Sequence, residues 1–186
     1  MTDDVLETPR LVMRRLCLTD IADCLVLDTD PSVMRYMGGP VEPVSRARWL
    51  RNRIAEGWPT KGGMWAVRPK EGGWFLGWCG LFPIPMQSAQ FGPQLHEIGY
   101  RYLPKAWGRG VATEAARAVL DHGFRVLGHD PIVGVTHPSN HGSQRVLQKI
   151  GLRREGERVA YGLSLPFFSL KRQTYFHRAE EIAGRR

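Results

Sequence analysis

Glu97–Ala116 reads EIGYRYLPKAWGRGVATEAA, and three kinds of local structure follow one another within it. Ile98, Tyr100 and Tyr102 alternate with Glu97, Gly99 and Arg101, the two-residue period of a strand. Pro104 cannot donate to a sheet ladder and marks the strand's end. From Ala112 onward, Ala112, Ala116, Val119, Leu120, Phe124 and Leu127 fall at helical spacing. Between strand and helix stands Trp107-Gly108-Arg109-Gly110-Val111-Ala112. Glycine lets a backbone approach a ligand closely and reach positive φ. The first turn of a helix carries N–H groups without intrahelical partners and the positive end of the dipole. Such a turn is suited to a phosphate or pyrophosphate. A tight strand-to-helix turn that binds nothing is the competing reading, because short Gly-x-Gly motifs recur by accident.

Two common phosphate motifs are excluded. A P-loop needs Gly-Lys followed by Ser or Thr, which is absent here. The dinucleotide fingerprint needs a third glycine where the chain has Thr113. What remains resembles the acetyl-CoA signature of the GNAT superfamily of N-acetyltransferases, (Arg/Gln)-x-x-Gly-x-(Gly/Ala), laid on Trp107 to Ala112. Its first position holds Trp107 instead of Arg or Gln. Trp-Gly-x-Gly, a small residue, Thr113 and Glu114 resemble one branch of that superfamily, which includes the ribosomal-protein N-terminal acetyltransferases.

A second segment carries the same resemblance. Val135–Leu152 reads as a strand, then Asn140-x-x-Ser143, a helix, and Lys149-x-Gly151 with Leu152. Read alone, Asn140 and Ser143 suit a helix N-cap. The resemblance implies that they lie along the pantetheine arm and near the sulfur, so that one ligand accounts for both segments. It covers roughly Thr8 to Leu152, including Thr8-Pro9-Arg10-Leu11, Asp30-Pro31 through Met37, and Ile98-Gly99-Tyr100. Beyond Leu152 it is weak.

At 186 residues a single domain is expected over 1–186, with polar ends at about 1–7 and 180–186. Met1–Arg10 is not a signal peptide, and no apolar stretch reaches membrane-spanning length. Cys17, Cys24 and Cys79 are odd in number and lack C-x-x-C spacing, so neither a disulfide framework nor a zinc site is indicated, and the cytoplasm is the expected compartment. Cys79 reads as a buried small hydrophobe. The formal charge of +8 suits an anionic cofactor or solubility; a nucleic-acid partner is disfavoured because the arginines are scattered.

Along the chain, Thr8–Leu18 reads as a strand. Thr19-Asp20 opens a helix with Ile21, Leu25 and Val26 on its apolar face, stopping before Pro31. Asp30–Met37 is a second short helix, and Ser45 to about Glu56 a third with Trp49, Leu50 and Ile54 inward. Met64–Val67 and Trp74–Phe82 pair around Glu71-Gly72-Gly73. Pro83–Pro93 is an irregular connection, placed as a substrate-side loop or a plain surface excursion. Ile132–His137 is a buried strand, a helix runs from Asn140 to Ile150, and Gly151-Leu152 ends it. Glu155–Tyr161 and Lys171–His177 read as weaker, paired strands, and Glu181–Arg186 as tail. The order gives an α/β (α+β) fold with a central mixed, mostly antiparallel sheet flanked by helices, in agreement with the superfamily's acyl-CoA N-acyltransferase fold.

The resemblance implies acetyl transfer from acetyl-CoA, as cosubstrate, to a primary amine: a protein N-terminus or a small molecule. Backbone N–H near Tyr102 and Leu103 would polarise the thioester carbonyl, and Gly108, Arg109, Gly110, Val111, Ala112 and Thr113 would hold the pyrophosphate. Glu97 is the candidate base, and the competing reading pairs it with an arginine such as Arg101. Ser143 is the candidate proton donor or sulfur contact. No metal is expected; His96, His137 and His141 have no metal-like spacing. The oligomeric state is open, a homodimer included. A non-catalytic acetyl-CoA-binding module would bind acetyl-CoA without turnover, and a basic nucleic-acid-binding protein would lose affinity steeply with salt.

Overall fold

The computed structural model describes residues 5–58, 62–86 and 95–183. The expected connection over Pro83–Pro93 therefore lies largely outside the described residues. Among those described, the strands are β1 (Leu6–Glu7), β2 (Leu11–Arg15), β3 (Gly63–Pro69), β4 (Gly77–Pro83), β5 (His96–Tyr102), β6 (Ile132–Val135), β7 (Arg153–Ala160) and β8 (Leu163–Leu170). The helices are α1 (Ile21–Thr29), α2 (Pro31–Met34), α3 (Pro43–Ala55), α4 (Val111–Arg125), α5 (His141–Lys149) and α6 (Arg172–Ala183).

One sheet runs β1-β2-β3-β4-β5-β6-β8-β7. Every pairing is antiparallel except β5–β6, which is parallel and joined through α4. That parallel pairing is short. It joins His96 to Ile132 and Glu97 to Val133, while β5 runs on to Tyr102 and β6 to Val135. Beyond Glu97 the two strands therefore diverge, and a wedge opens in the sheet.

Period-two alternation divides the core between the faces. On β3, Trp65 and Val67 join the cluster under α4, where Val119, Leu120 and Phe124 are fully buried. Met64 and Ala66 join the opposite cluster with Leu27 of α1 and Leu50 of α3. A third cluster, with Ile84, Val133, Ala160, Leu165 and Phe167, lies towards the β7–β8 edge. Full burial of a Val, Leu or Phe side chain stabilises by about 1.5–3 kcal/mol, so α4 is held mainly by its inner face.

Several expectations are corrected. Lys171–His177 is not a strand but the start of α6, and β7 pairs instead with Leu163–Leu170. Pro166 argues against a strand in that segment. It is tolerated because its partner Glu157 adjoins a register shift in β7, where the regular ladder is interrupted. Tyr175 of α6 packs on Phe124 at 5.0 Å and donates to Asp121 at 2.7 Å, contacts that a strand pattern cannot foresee. The tail expected from Glu181 continues α6 to Ala183, and 184–186 lie outside the described residues. Val26 and Trp49 face outward, at 61% and 47% exposure. The buried stripe of α1 is Ile21, Cys24, Leu27 and Asp28, and Trp49 lies against the Arg46 guanidinium at 4.4 Å. Thr8-Pro9-Arg10 is a tight turn between β1 and β2, with Leu11 N–H donating to Thr8 Oγ1 at 2.9 Å.

Asp28 is fully buried and ties three elements together. It accepts from Arg46 Nε of α3 at 2.5 Å and from Arg101 Nη1 of β5. Asp28→Ala leaves two guanidinium groups facing a cavity, and removal of one partner from a buried pair costs about 3–5 kcal/mol. Urea unfolding followed by tryptophan fluorescence should show a loss of that size. A loss below about 1 kcal/mol would mark the pair as no stronger than a surface one.

Candidate active site

A cleft of about 610 Å³ lies along the part of β5 that has no β6 partner. Tyr100 and Tyr102 line its β5 wall, Asn140, Ser143 and Val146 its α5 wall, and Val33 and Tyr36 its α2 side. Gly108 and Gly110–Thr113 form its end.

That end is built for an anion. Gly108 and Gly110 take φ values of 70° and 77°, a left-handed pair that brings the chain sharply round into α4. Gly110 is the N-cap and has no side chain to offer. The first intrahelical bond runs from Glu114 N–H to Gly110 O at 3.0 Å. The N–H groups of Val111, Ala112 and Thr113 thus sit in the first turn, unfilled by any N-cap side chain, at the positive end of the dipole. Arg145 and Lys149, four residues apart on α5, also line the cleft. Both lie on the segment that the sequence singles out, and their shared helical face was the signal for them.

Glu114 braces this turn from behind. It accepts from Thr8 Oγ1 at 2.6 Å and from Arg10 Nε at 2.7 Å, and Arg10 Nη1 reaches Arg109 O at 3.2 Å. Burial works to raise the Glu114 carboxyl, but the bonds from Thr8 and Arg10 outweigh it and hold it below the usual range. Leu103 and Arg109 are not among the residues lining the cleft. Leu103 N–H is taken by Leu76 O at 2.9 Å, which corrects its expected role as a free donor. Ladder alternation then turns the N–H of Tyr102 to the open edge of β5. The carbonyl of Tyr102 accepts from Trp107 Nε1 at 2.7 Å, so Trp107, the departure from the motif, fastens the turn to the strand.

Asn140 caps α5: its Oδ1 accepts from Ser143 N–H at 3.0 Å. Its amide nitrogen remains available for a second partner. Ser143 Oγ lies 3.1 Å from the hydroxyl of Tyr100, which also donates to Ser143 O at 3.0 Å. Burial pushes the Tyr100 phenol up, with the Ser143 bond working against it. Sequence reasoning missed Tyr100, because its alternation marked it only as a strand residue.

Glu97 is not among the residues lining the cleft. It stands at the apex of the wedge, on the last paired position of β5, and faces the same side as Gly99 and Arg101. It is 8% exposed. The expected pairing with Arg101 does not occur, since Arg101 serves Asp28. Glu97 Oε1 instead accepts from the hydroxyl of Tyr161. With no cation against it, burial pushes the Glu97 carboxyl up from an ordinary 4.5 to about 8. His137 stacks with Tyr36 at 5.3 Å and His96 with His129 at 3.9 Å. Cys79 is fully buried and its thiol is pushed up by desolvation, which removes it as a nucleophile. Among the described residues no group of three or more His, Cys, Asp and Glu could hold a metal, and no helix is long and apolar enough to cross a membrane.

Comparison with known proteins bears on this cleft. The acetyltransferase (GNAT) domain family matches residues 10–153. The uncharacterized N-acetyltransferase YnaD of Bacillus subtilis (strain 168) is 42% identical over 155 residues, spanning 81% of this chain and 84% of that protein. Among solved structures, the acetyltransferase from Agrobacterium tumefaciens str. C58 superposes with a TM-score of 0.76 at 24% identity, covering 91% of this chain and 95% of that one. The spermidine N-acetyltransferase from Vibrio cholerae, in complex with CoA and spermine, gives 0.72 at 18% identity, over 91% and 99%. The sheet and its flanking helices have the GNAT acyl-CoA N-acyltransferase fold.

The buried carboxyl has a measurable effect on stability. Folded Glu97 keeps its proton up to about pH 8, whereas the unfolded chain releases it near 4.5. Its contribution to stability is therefore fully present below the lower value and is lost as pH rises through the higher one. Glu97→Gln removes that dependence. The melting temperature of the variant relative to the parent should climb between about pH 5 and about pH 8. A difference that stays flat over that window would show an ordinary carboxyl.

Proposed function

The chain belongs to the GNAT acetyltransferase family and is an acetyl-CoA-dependent N-acetyltransferase, and from that premise we propose which of its residues bind, polarise and move protons. The observation that carries the reading is a shared opening. The uncapped first turn of α4, the free edge of β5 and the cations Arg145 and Lys149 all meet in one cleft. Acetyl-CoA fits it by the chemistry of these donors, and supplies an activated thioester when bound.

In this reading the N–H groups of Val111, Ala112 and Thr113 bind the pyrophosphate, with Gly108 and Gly110 giving the close approach. Arg109 contributes through its backbone, which Arg10 holds. Asn140 orients the pantetheine arm through its amide. Tyr102 N–H, on the unpaired edge, polarises the thioester carbonyl. Leu103 contributes by keeping that edge in register with β4. The acceptor amine enters on the Gly99 side. Glu97, at the wedge apex, takes one proton from its ammonium through a water. Ser143, bonded to Tyr100, gives its hydroxyl proton to the departing thiolate. It is restored by the second proton that the amine nitrogen sheds as the tetrahedral adduct collapses, so that the products are the acetylated amine, free CoA and the one proton left on Glu97.

The acceptor is a primary amine. It is either a small one, as for the spermidine N-acetyltransferase of Vibrio cholerae, or a protein N-terminus, as the likeness of Trp107–Glu114 to the ribosomal-protein branch implies. A panel holding both kinds, with released CoA as the readout, decides between them. Free Cys17, Cys24 and Cys79 support a place in the cytoplasm.

Gly110→Asp tests the binding half. A Cβ at Gly110 meets only Arg10 Nη2, at 3.4 Å, and Asp visits the left-handed region more readily than most residues, so the fold should survive. The new carboxylate would occupy the first-turn donors, and loss of one charge-assisted bond predicts about 10- to 100-fold weaker CoA binding by titration calorimetry. Unchanged affinity in the folded variant removes the pyrophosphate site. Glu97→Gln tests the chemistry: kcat should fall by about 10²–10⁴-fold, with the deficit shrinking at high pH as the acceptor arrives deprotonated. A variant with the parent's rate and profile would leave proton removal to solvent.

A further inference from the structure

Tyr161 is unusual in its backbone and in its reach. It is the only non-glycine among the described residues with positive φ, at 53°. With Gly162 at 75° it forms the two-residue tip of the β7–β8 hairpin. Such tips favour a type I′ turn, whose first position is normally Asn, Asp or Gly, because a Cβ is strained there. A tyrosine in this place needs a reason outside the turn. The tip is held by Ala160, which is 1% exposed in the cluster with Ile84 and Val133 and bridges to Met86. From that anchor Tyr161, half-exposed, reaches the buried Glu97 with its hydroxyl.

We propose that Tyr161 is the positioning residue of Glu97, holding its carboxylate at the wedge apex and stabilising its ionised form by donating a hydrogen bond to Oε1. The proposal rests on the reading of Glu97 as the base. A carboxylate in an apolar pocket drifts towards the neutral form, which cannot accept a proton. The phenol counters this with a neutral donor that adds no charge to repel an incoming ammonium. Three cationic or titratable groups on the surrounding elements contact other residues. Arg101, further along β5, serves Asp28. Arg158 of β7 lies over the Phe167 ring at 5.6 Å, and His96 stacks on His129.

The experiment is a titration of the Glu97 carboxyl in the full chain by carbon-13 NMR of labelled glutamate, the resonance being assigned by its loss in Glu97→Gln. Two variants separate the donor from the turn. Tyr161→Phe keeps the ring and removes the hydroxyl. Tyr161→Asn also removes it but suits the turn, so this variant should melt higher than Tyr161→Phe. Both should move the Glu97 titration upward by about one to two pH units, the worth of one hydrogen bond to a charged group. With an acceptor from the amine panel, the acid limb of kcat/KM should move by the same amount. A Glu97 titration that stays in place in both variants overturns the proposal. If the NMR titration moves but Glu97→Gln keeps the parent's rate, Tyr161 still orders Glu97, and the base assignment alone has failed.

Discussion

The parallel pairing of β5 with β6 stops at Glu97 and Val133, and the cleft exists because it stops there. Two contacts hold α5 against the diverging strands. Leu147 of α5 lies directly on the backbone of β6, where a Cβ on Gly134 would meet it at 2.8 Å. The Tyr100 hydroxyl binds Ser143 at the start of the same helix. Helix α5 thus packs over the face of the diverging strands, and β5 beyond Glu97 has no β6 partner in the ladder. Backbone donors left open in this way carry a cost unless something else satisfies them. In the proposed function a bound thioester carbonyl supplies that acceptor without a dedicated side chain.

The two faces of β5 are consequently assigned to different work. Tyr100 and Tyr102 look towards α4 and α5 and line the cleft. Glu97 and Gly99 look the other way, and so does Arg101, although it also borders the cleft. Arg101 is fixed by Asp28, which is itself fixed by Arg46, so the acceptor face is framed by a buried ionic knot joining α1, α3 and β5. Glu97 has no such cation and relies on a phenol from the far hairpin. The contrast between these two buried acids is one of partners: two guanidinium groups hold Asp28, and a single phenol holds Glu97.

Much of this arrangement was legible in the chain. The Gly-x-Gly turn and Asn140-x-x-Ser143 are local patterns, and each sits in one turn or one helix start. The strand–turn–helix of Glu97–Ala116 was equally plain, since period two gives way to helical spacing across Pro104. What escaped was set by distant partners. Tyr161 meets Glu97 across 64 residues and Tyr100 meets Ser143 across 43, and no local period encodes either contact. Pro166 disguised β8 because a strand proline is tolerated only beside an irregularity, which is a property of the neighbouring strand. Apolar character alone points Val26 and Trp49 inward, whereas the buried stripe of α1 includes the acidic Asp28.

The brace behind the turn that opens α4 joins residues made early to one made late. Thr8 and Arg10 reach Glu114 across 106 and 104 residues. A ribosome releases the chain from its N-terminus, so the Thr8–Arg10 turn emerges long before its partner. The meander β1–β5 can zip up as it appears, each strand finding the one before it. The cofactor turn cannot be braced until α4 has cleared the exit tunnel. The sheet is not closed until β8, one of the last segments made, slots between β6 and β7. CoA recognition is therefore among the final events of synthesis, and once gained it favours the completed chain over any partly folded one by mass action.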